Sequence, residues 1–389
     1  MENLDSFHTS SVLLSKSALK NNLQFLRNKV CKNALLSIVV KGNAYGHGIE
    51  EIVRLSQACG VNRFSVFSAF EAYRVLQVKK GKIHLIIMGM IENEQLEWAI
   101  ANDIEIYIFE TDRLLAAIGA AKKLNKKAII HVEVETGMNR TGFDQNDLGE
   151  VIQIIKLNQD HLILEGLCTH YAGAESVSNY LRIQNQIKKF NTVYKHFCQE
   201  NLKPALRHTA CSAAAVNYPE TVMDMVRIGI ITYGFWPSRE TFIQYLQHNG
   251  LGRKDPLKRI ITWKSKVLAT KLVKRGEFIG YGTSYMASKD IWVASVPVGY
   301  GYGYSRNLSN LGRVLIKGKR AAVIGIVNMN MLIIEIDDIP DVKKGDEVVL
   351  IGKQKNQSIS VTAFGELSNQ PNYELLTRLP KDLPRYIVR

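Results

Sequence analysis

The feature that most constrains this chain is an alternation. From residue 12 to residue 240, short apolar runs rich in β-branched residues take turns with helix-length amphipathic stretches. The runs are residues 35–40, 64–67, 84–88, 104–108, 128–134, 162–167, 206–209 and 226–230. Between them, residues 48–59 place Ile49, Ile52, Val53 and Leu55 on one helical face, and residues 145–157 do the same with Leu148, Val151, Ile152 and Ile155. Eight strand-then-helix repeats are the signature of a (β/α)8 barrel. A doubly wound sheet competes, because parallel strands look alike in both. The strand count favours the barrel, as does the lack of a Gly-x-Gly-x-x-Gly run after the first strand.

Past residue 250 the rhythm changes. Residues 262–273, 291–298, 313–316, 321–327, 331–336 and 347–351 read as short strands. Turn signals separate them: Arg275-Gly276, Lys317-Gly318, Asp337-Asp338 and Lys344-Gly345-Asp346. No amphipathic helix fits between 262 and 351. The expected fold is therefore α/β: a (β/α)8 barrel over 12–245, then a mostly β domain over 246–389. Residues 1–11 group with that second domain, and the stretch before Ser15 could add a strand to it.

Composition narrows the class. Apolar residues at 46% and charged residues at 22% exclude a disordered chain and a collagen-like chain. No apolar run reaches the ~18 to 20 residues of a membrane-spanning helix. Glu2 and Asp5 in the first ten residues argue against a secretory signal. The five cysteines, Cys31, Cys59, Cys168, Cys198 and Cys211, have neither disulfide-framework nor zinc spacing, which suits a reducing cytoplasm. No metal site is expected. The net charge of +14 raises nucleic-acid binding, but the basic residues come in short clusters such as Lys79-Lys80 and Lys126-Lys127, with no aromatic-interleaved stripe. The favoured reading is a basic surface that also attracts anionic small molecules. Neither a nucleic-acid nor a membrane partner is expected.

Barrel enzymes carry their chemistry at the C-terminal ends of the strands. There the sequence places Lys41 with the loop Gly42-Asn43-Ala44-Tyr45-Gly46-His47-Gly48, then Glu135 to Arg140, His170, Ser212, and Arg227 followed by Gly229-Ile230. A lysine amine can form a Schiff base, and backbone amides with a hydroxyl can hold phosphate. The set suits a phosphorylated carbonyl cofactor. Some of these residues have plainer readings. His170 alone would more often be a core histidine, and Glu135 reads as an ordinary strand residue. Arg227 inside an apolar strand demands a partner.

The run Val39 to Gly48 closely resembles the pyridoxal-phosphate signature of alanine racemases. Glu135-Thr136-Gly137-Met138-Asn139-Arg140, Thr169-His170-Tyr171-Ala172 and Met225 to Gly234 resemble further motifs of that family, in order. So do Gly282-Thr283-Ser284-Tyr285, Val296 to Tyr300, and Asn372-Tyr373-Glu374 with Thr377-Arg378. The resemblance implies a pyridoxal 5'-phosphate-dependent racemase that interconverts L- and D-alanine and supplies D-alanine for peptidoglycan. It implies that Lys41 holds the cofactor and acts as one base, and that Tyr285 of a partner subunit in a homodimer is the other. Arg227 would contact the pyridine nitrogen, and His170 would orient Arg227 and tune Tyr285. Tyr45, Ser212, Tyr373, Gly229 and Ile230 would hold the phosphate. Arg140 and the backbone near Met329 would receive the substrate carboxylate. Both bases would have to titrate far below about 10.

The sequence departs from the family pattern at several places. Glu133 stands where a lysine, often carbamylated, is common, and would supply the same negative charge directly, so that Arg140 is still held. Asn330, Ile326, Tyr302 and Cys211 also differ, which opens the question of substrate breadth. Competing readings are a fold-related decarboxylase of basic amino acids and a non-catalytic pyridoxal-phosphate carrier. The first would lack the Tyr285 and Arg227 motifs, and the second would lack the C-terminal domain.

Overall fold

The computed structural model describes residues 8–249, 254–361 and 372–389. The chain divides into two units. One comprises Ala18–Ala44 and Ile52–Lys258; the other comprises Met1–Ser17, Tyr45–Glu51 and Arg259–Arg389. The division therefore falls later in the chain than position 245/246, and residues 45–51 leave the barrel unit. The reason is local to the second unit. Arg385 donates from Nε and Nη2 to the Gly46 carbonyl at 3.1 and 3.0 Å. Gly46 has φ +80°, and a Cβ there would lie 1.8 Å from the Leu376 carbonyl oxygen. Only glycine allows that approach.

The chain opens with β1 (Ser10–Ser15). The barrel unit follows with β2 (Leu35–Val39), β3 (Arg63–Ser68), β4 (His84–Met90) and β5 (Glu105–Ile108). It continues with β6 (Ala128–Glu133), β7 (Leu162–Cys168), β8 (Leu206–His208) and β9 (Met225–Ile228). These eight strands form one parallel sheet in the order β8-β7-β6-β5-β4-β3-β2-β9. The two edges are stitched by Asp224 N–H to Arg207 O at 3.1 Å and Arg227 N–H to Ala210 O at 3.0 Å, so the sheet is a nearly closed barrel. Every expected strand is present.

Helix Thr111–Leu124 illustrates the outer layer. Leu114, Ala117, Ile118 and Ala121 repeat at helical spacing and are buried, and the helix lies against β5 and β6. It ends at Asn125, whose left-handed φ of 47° closes the last turn. Leu114 is fully buried, so truncating it to alanine would cost about 2–5 kcal/mol. Inside the barrel, Ile86, Tyr107, Cys168 and Met225 form an apolar cluster. Beside it sit buried polar groups, including Glu105, His131, His208 and Arg227.

The second unit contains β10 (Ile261–Lys266), β11 (Ala269–Val273), β12 (Ile291–Val296), β13 (Arg313–Ile316) and β14 (Lys319–Ile324). After these come β15 (Leu332–Glu335), β16 (Glu347–Gln354), β17 (Gln357–Ile359) and β18 (Arg385–Val388). Together with β1 they make one sheet in the order β11-β12-β15-β14-β13-β16-β10-β1-β18, with β17 on β16. The expected extra strand is thus β1, antiparallel to β10 and parallel to β18. Between 262 and 351 the only helical pieces among the described residues are single turns, Tyr300–Tyr302 and Arg306–Leu308. Among the described residues no helix is long and apolar enough to cross a membrane.

Candidate active site

Lys41 stands at the start of a left-handed turn. After β2, Val40 donates to Ser65 O at 2.9 Å. Gly42, Asn43, Ala44 and Tyr45 then follow with φ of 61°, 54°, 53° and 52°. Each non-glycine residue in that region costs roughly 1–2 kcal/mol, so surrounding structure must hold the turn. Helix Ala69–Val78 does so. The Glu71 carboxylate accepts Gly42 N–H at 2.7 Å and Phe67 N–H at 2.9 Å, and Arg74 donates to Asn43 Oδ1 at 2.8 Å. Lys41 opens to solvent, yet the protein around it, then the charge of Arg140, with a further push from Arg227, lowers its pKa below the ordinary lysine value.

The Arg140 turn is built by a residue that the alternation had placed in a strand. β6 ends at Glu133, and Glu135 folds back so that its carboxylate accepts the N–H groups of Gly137, Met138 and Asn139, the last two at 2.7 Å each. Arg140 N–H reaches the same carboxylate at 3.4 Å. Glu135 is therefore a turn-former, because one carboxylate satisfies a nest of amides that no ladder partner can reach. Glu133 is buried and accepts Thr141 Oγ1 at 2.9 Å. Burial raises its pKa, against the pull of Thr141, Arg227 and Arg140. It supports the turn through Thr141; among the described hydrogen bonds none joins it to Arg140.

Gln186, in helix Tyr180–Gln199, couples this turn to the His170 segment. Its amide donates to Thr136 Oγ1 at 3.1 Å and His170 O at 3.0 Å, and its oxygen accepts Ala172 N–H at 2.9 Å. His170 is held neutral, with its pKa down at about 3. Burial is the main cause, followed by the charges of Arg227, Arg140 and Lys41.

Arg227 is buried, and its guanidinium donates to His208 Nδ1, to His208 O and, at 2.9 Å, to Thr169 O. Among the described hydrogen bonds, His208 orients Arg227, where His170 was expected to. His208 in turn meets His131 at 2.8 Å, and His131 meets Glu105 at 2.8 Å. Sequence reasoning missed Gln186, His208, His131 and Glu105. A signal existed for two of them: Glu105 and His131 are polar residues inside mostly apolar runs, whereas His208 follows Arg207 in a strand that is mostly polar.

Ser212 opens helix Ser212–Asn217, is buried, and accepts Gly229 N–H at 3.0 Å. Ile230 is buried at the head of the turn Ile230–Tyr233. The barrel unit thus brings Lys41, Arg140, His170 and Arg227 within electrostatic reach of one another, as Lys41's neighbours and those of His170 attest. Gly229 and Ile230 follow Arg227 just past the end of β9, and Ser212 is tied to them by its bond to Gly229 N–H. An ammonium, two guanidiniums and a hydroxyl–amide pair form a donor set for an anionic ligand bearing phosphate and carboxylate.

Tyr45, Tyr285, Met329 and Tyr373 belong to the other unit. Tyr285 is half-buried and packs against the apolar cluster of Val273, Ile279, Ala287, Ile291, Val293 and Ile324. Burial, then Glu335, raises its pKa above the ordinary tyrosine value, outweighing Lys289. The expected lowering of this phenol does not arise within its own chain. Met329 is exposed, and its carbonyl accepts Gly301 N–H at 2.9 Å. Tyr373 falls in helix Asn372–Thr377, with its side chain outside the described residues.

Known proteins resemble the chain over its length. The alanine racemase N-terminal domain family matches residues 14–237, and the alanine racemase C-terminal domain family matches 260–387. The alanine racemase of Leptospira interrogans (strain Fiocruz L1-130) is 34% identical over 389 residues, covering 98% of this chain and 96% of the relative. That of Carboxydothermus hydrogenoformans is 34% identical over 363 residues, covering 92% and 94%. Among solved structures, alanine racemase of Clostridium difficile 630 aligns with a TM-score of 0.89 at 28% identity, over 98% of this chain and 96% of the other. The Bacillus anthracis alanine racemase with bound L-Ala-P aligns with a TM-score of 0.88 at 28% identity, over 98% and 95%.

Proposed function

The chain belongs to the alanine racemase family, and from that premise we propose that it interconverts L- and D-alanine with Lys41 and a partner subunit's tyrosine, Tyr285 in sequence, as its two bases. The observation that carries this reading is the convergence of Lys41, Arg140, His170 and Arg227 at one end of the barrel, with a lowered lysine pKa. The family's cofactor is pyridoxal phosphate, and the donor set fits it. Lys41 would hold its carbonyl carbon covalently. Ser212, Gly229 and Ile230 would hold its phosphate, and Arg227 its ring nitrogen. When bound, the cofactor supplies a conjugated system that delocalises the charge left on Cα.

The chain's own groups carry the rest. Arg140, on the turn that Glu135 shapes, binds the substrate carboxylate through a guanidinium fork. Lys41 needs a neutral amine to take a proton from Cα, and crowding and neighbouring cations favour that form. Arg227 never releases its proton, so a ring nitrogen facing it stays unprotonated and charge delocalisation stays modest. That favours prompt return of the proton over competing reactions. Tyr285 would move the second proton at its Oη on the opposite face. Since its own chain raises its pKa, the cations that lower it would come from the barrel of a second subunit. This makes the active unit a homodimer.

The test is direct. Purified protein saturated with pyridoxal phosphate is incubated with L-alanine, and D-alanine is measured by chiral chromatography, beside a panel of other L-amino acids. D-alanine formation that disappears in Lys41→Ala supports the reading. A fully loaded enzyme that makes D-product only from another amino acid refutes alanine as the substrate.

A further inference from the structure

A chain of buried hydrogen bonds crosses the barrel interior from Arg227 to the opposite end. His208 accepts Arg227 Nη1–H at Nδ1. His208 Nε2 lies 2.8 Å from His131 Nδ1, and His131 Nε2 lies 2.8 Å from Glu105 Oε2. At the far end, Glu105 also meets His84 Nδ1 at 2.9 Å and Arg63 Nη1 at 3.3 Å. Glu105, His131, His208, Arg63 and Arg227 are all buried.

The donors and acceptors admit one consistent assignment for neutral rings. Glu105 is ionised: burial pushes its carboxyl up, but hydrogen bonds from His131 and His84 and the charge of Arg63 hold it at about 2. An ionised carboxylate only accepts, so His131 carries its proton on Nε2 and leaves Nδ1 bare. Bare Nδ1 requires His208 to donate from Nε2, which leaves His208 Nδ1 bare. That bare nitrogen is the acceptor that faces the guanidinium, and a guanidinium only donates. Burial, then the charge of Arg227, keeps His208 neutral.

Gly166 makes the central link possible. It pairs opposite His131, and a Cβ there would lie 2.0 Å from His131 Nδ1 and 2.7 Å from His208 Nε2. Its φ lies outside the left-handed region, so the need for glycine here is spatial. The Tyr107 ring packs on both imidazoles at 6.0 and 5.9 Å between centroids.

We infer that Glu105 is a positioning residue for Arg227, acting through His131 and His208 to fix the tautomer that orients the guanidinium. The consequence for the reaction rests on Arg227 being the ring-nitrogen contact. The relay itself does not depend on that reading.

Two arms separate the relay from its consequence. In cofactor-free protein labelled with 15N-histidine, two-bond correlations report which ring nitrogen carries the proton. His131 and His208 should both be neutral with the proton on Nε2. An Nδ1–H tautomer or an imidazolium at either ring overturns the relay. Glu105→Gln keeps shape and one acceptor, and Gly166→Ala interposes a methyl group without removing any polar group. In either variant, if folded, the His208 tautomer should become mixed. Loaded with pyridoxal phosphate, it should racemise about 10- to 100-fold more slowly, the worth of one charge-assisted hydrogen bond. The ratio of transamination to racemisation should rise. Mixed tautomers with rate and product ratio unchanged would overturn the positioning role.

Discussion

Gly42 donates its backbone N–H to the Glu71 carboxylate at 2.7 Å, and that bond ties down the left-handed turn that begins at Lys41. The same carboxylate accepts Phe67 N–H, so one side chain joins the end of β3 to the turn after β2. Glu71→Ala should therefore lower stability by about 1–3 kcal/mol and weaken cofactor retention. Glu71→Gln, which keeps one acceptor oxygen, should lose less. Urea unfolding of cofactor-free protein and equilibrium dialysis of the cofactor measure both. Wild-type stability and retention in Glu71→Ala would show that the turn holds itself.

Arg227→Glu exchanges a permanent donor for a carboxylate that can share a proton with a ring nitrogen. Racemisation should fall about 100-fold or more. Transamination products should become detectable by mass spectrometry after long incubation with L-alanine. A slower enzyme with an unchanged product profile would argue that Arg227 serves packing only.

Complementation tests the origin of Tyr285. Lys41→Ala and Tyr285→Phe should each be inactive alone. Mixed under subunit-exchanging conditions, they should regain activity, because a mixed dimer holds one site with both bases. Random exchange makes half the dimers mixed, so recovery should approach about a quarter of wild type. With exchange verified by size-exclusion chromatography of differently tagged chains, zero recovery would place Tyr285 in its own subunit's site.

His170 sets a pH dependence of stability. Its pKa in the folded protein is about 3, below its ordinary 6.5, because burial and neighbouring cations oppose protonation. Between those values the unfolded chain binds the proton and the folded chain does not. Stability should therefore fall as pH drops from 6.5 towards 3 and level off below. Cofactor-free His170→Asn should show a shallower slope than wild type in urea titrations at successive pH values. Parallel slopes would mean that His170 titrates normally in the folded protein.

The sequence by itself determined the architecture. Alternating patterning is local: each strand and helix shows its period within a dozen residues or so, and eight repeats leave few ways to bury the apolar faces. It also marked Lys41, His170, Ser212 and Arg227, because strand ends are where a parallel barrel exposes side chains. Tertiary structure decided what holds them. His131 and His208 are 77 residues apart and meet only because closing the barrel turns period-two positions on different strands towards one interior. Glu135 carries no local sign that it leaves the strand, since alternation continues through it; the turn amides it satisfies exist only once the chain has folded back. The left-handed run from Gly42 to Tyr45 is likewise unreadable in full, because Gly42 and Asn43 adopt that conformation readily but Ala44 and Tyr45 do not. Glu71 and Arg74, brought alongside by packing, supply the hydrogen bonds that make the strained turn the lower-energy choice.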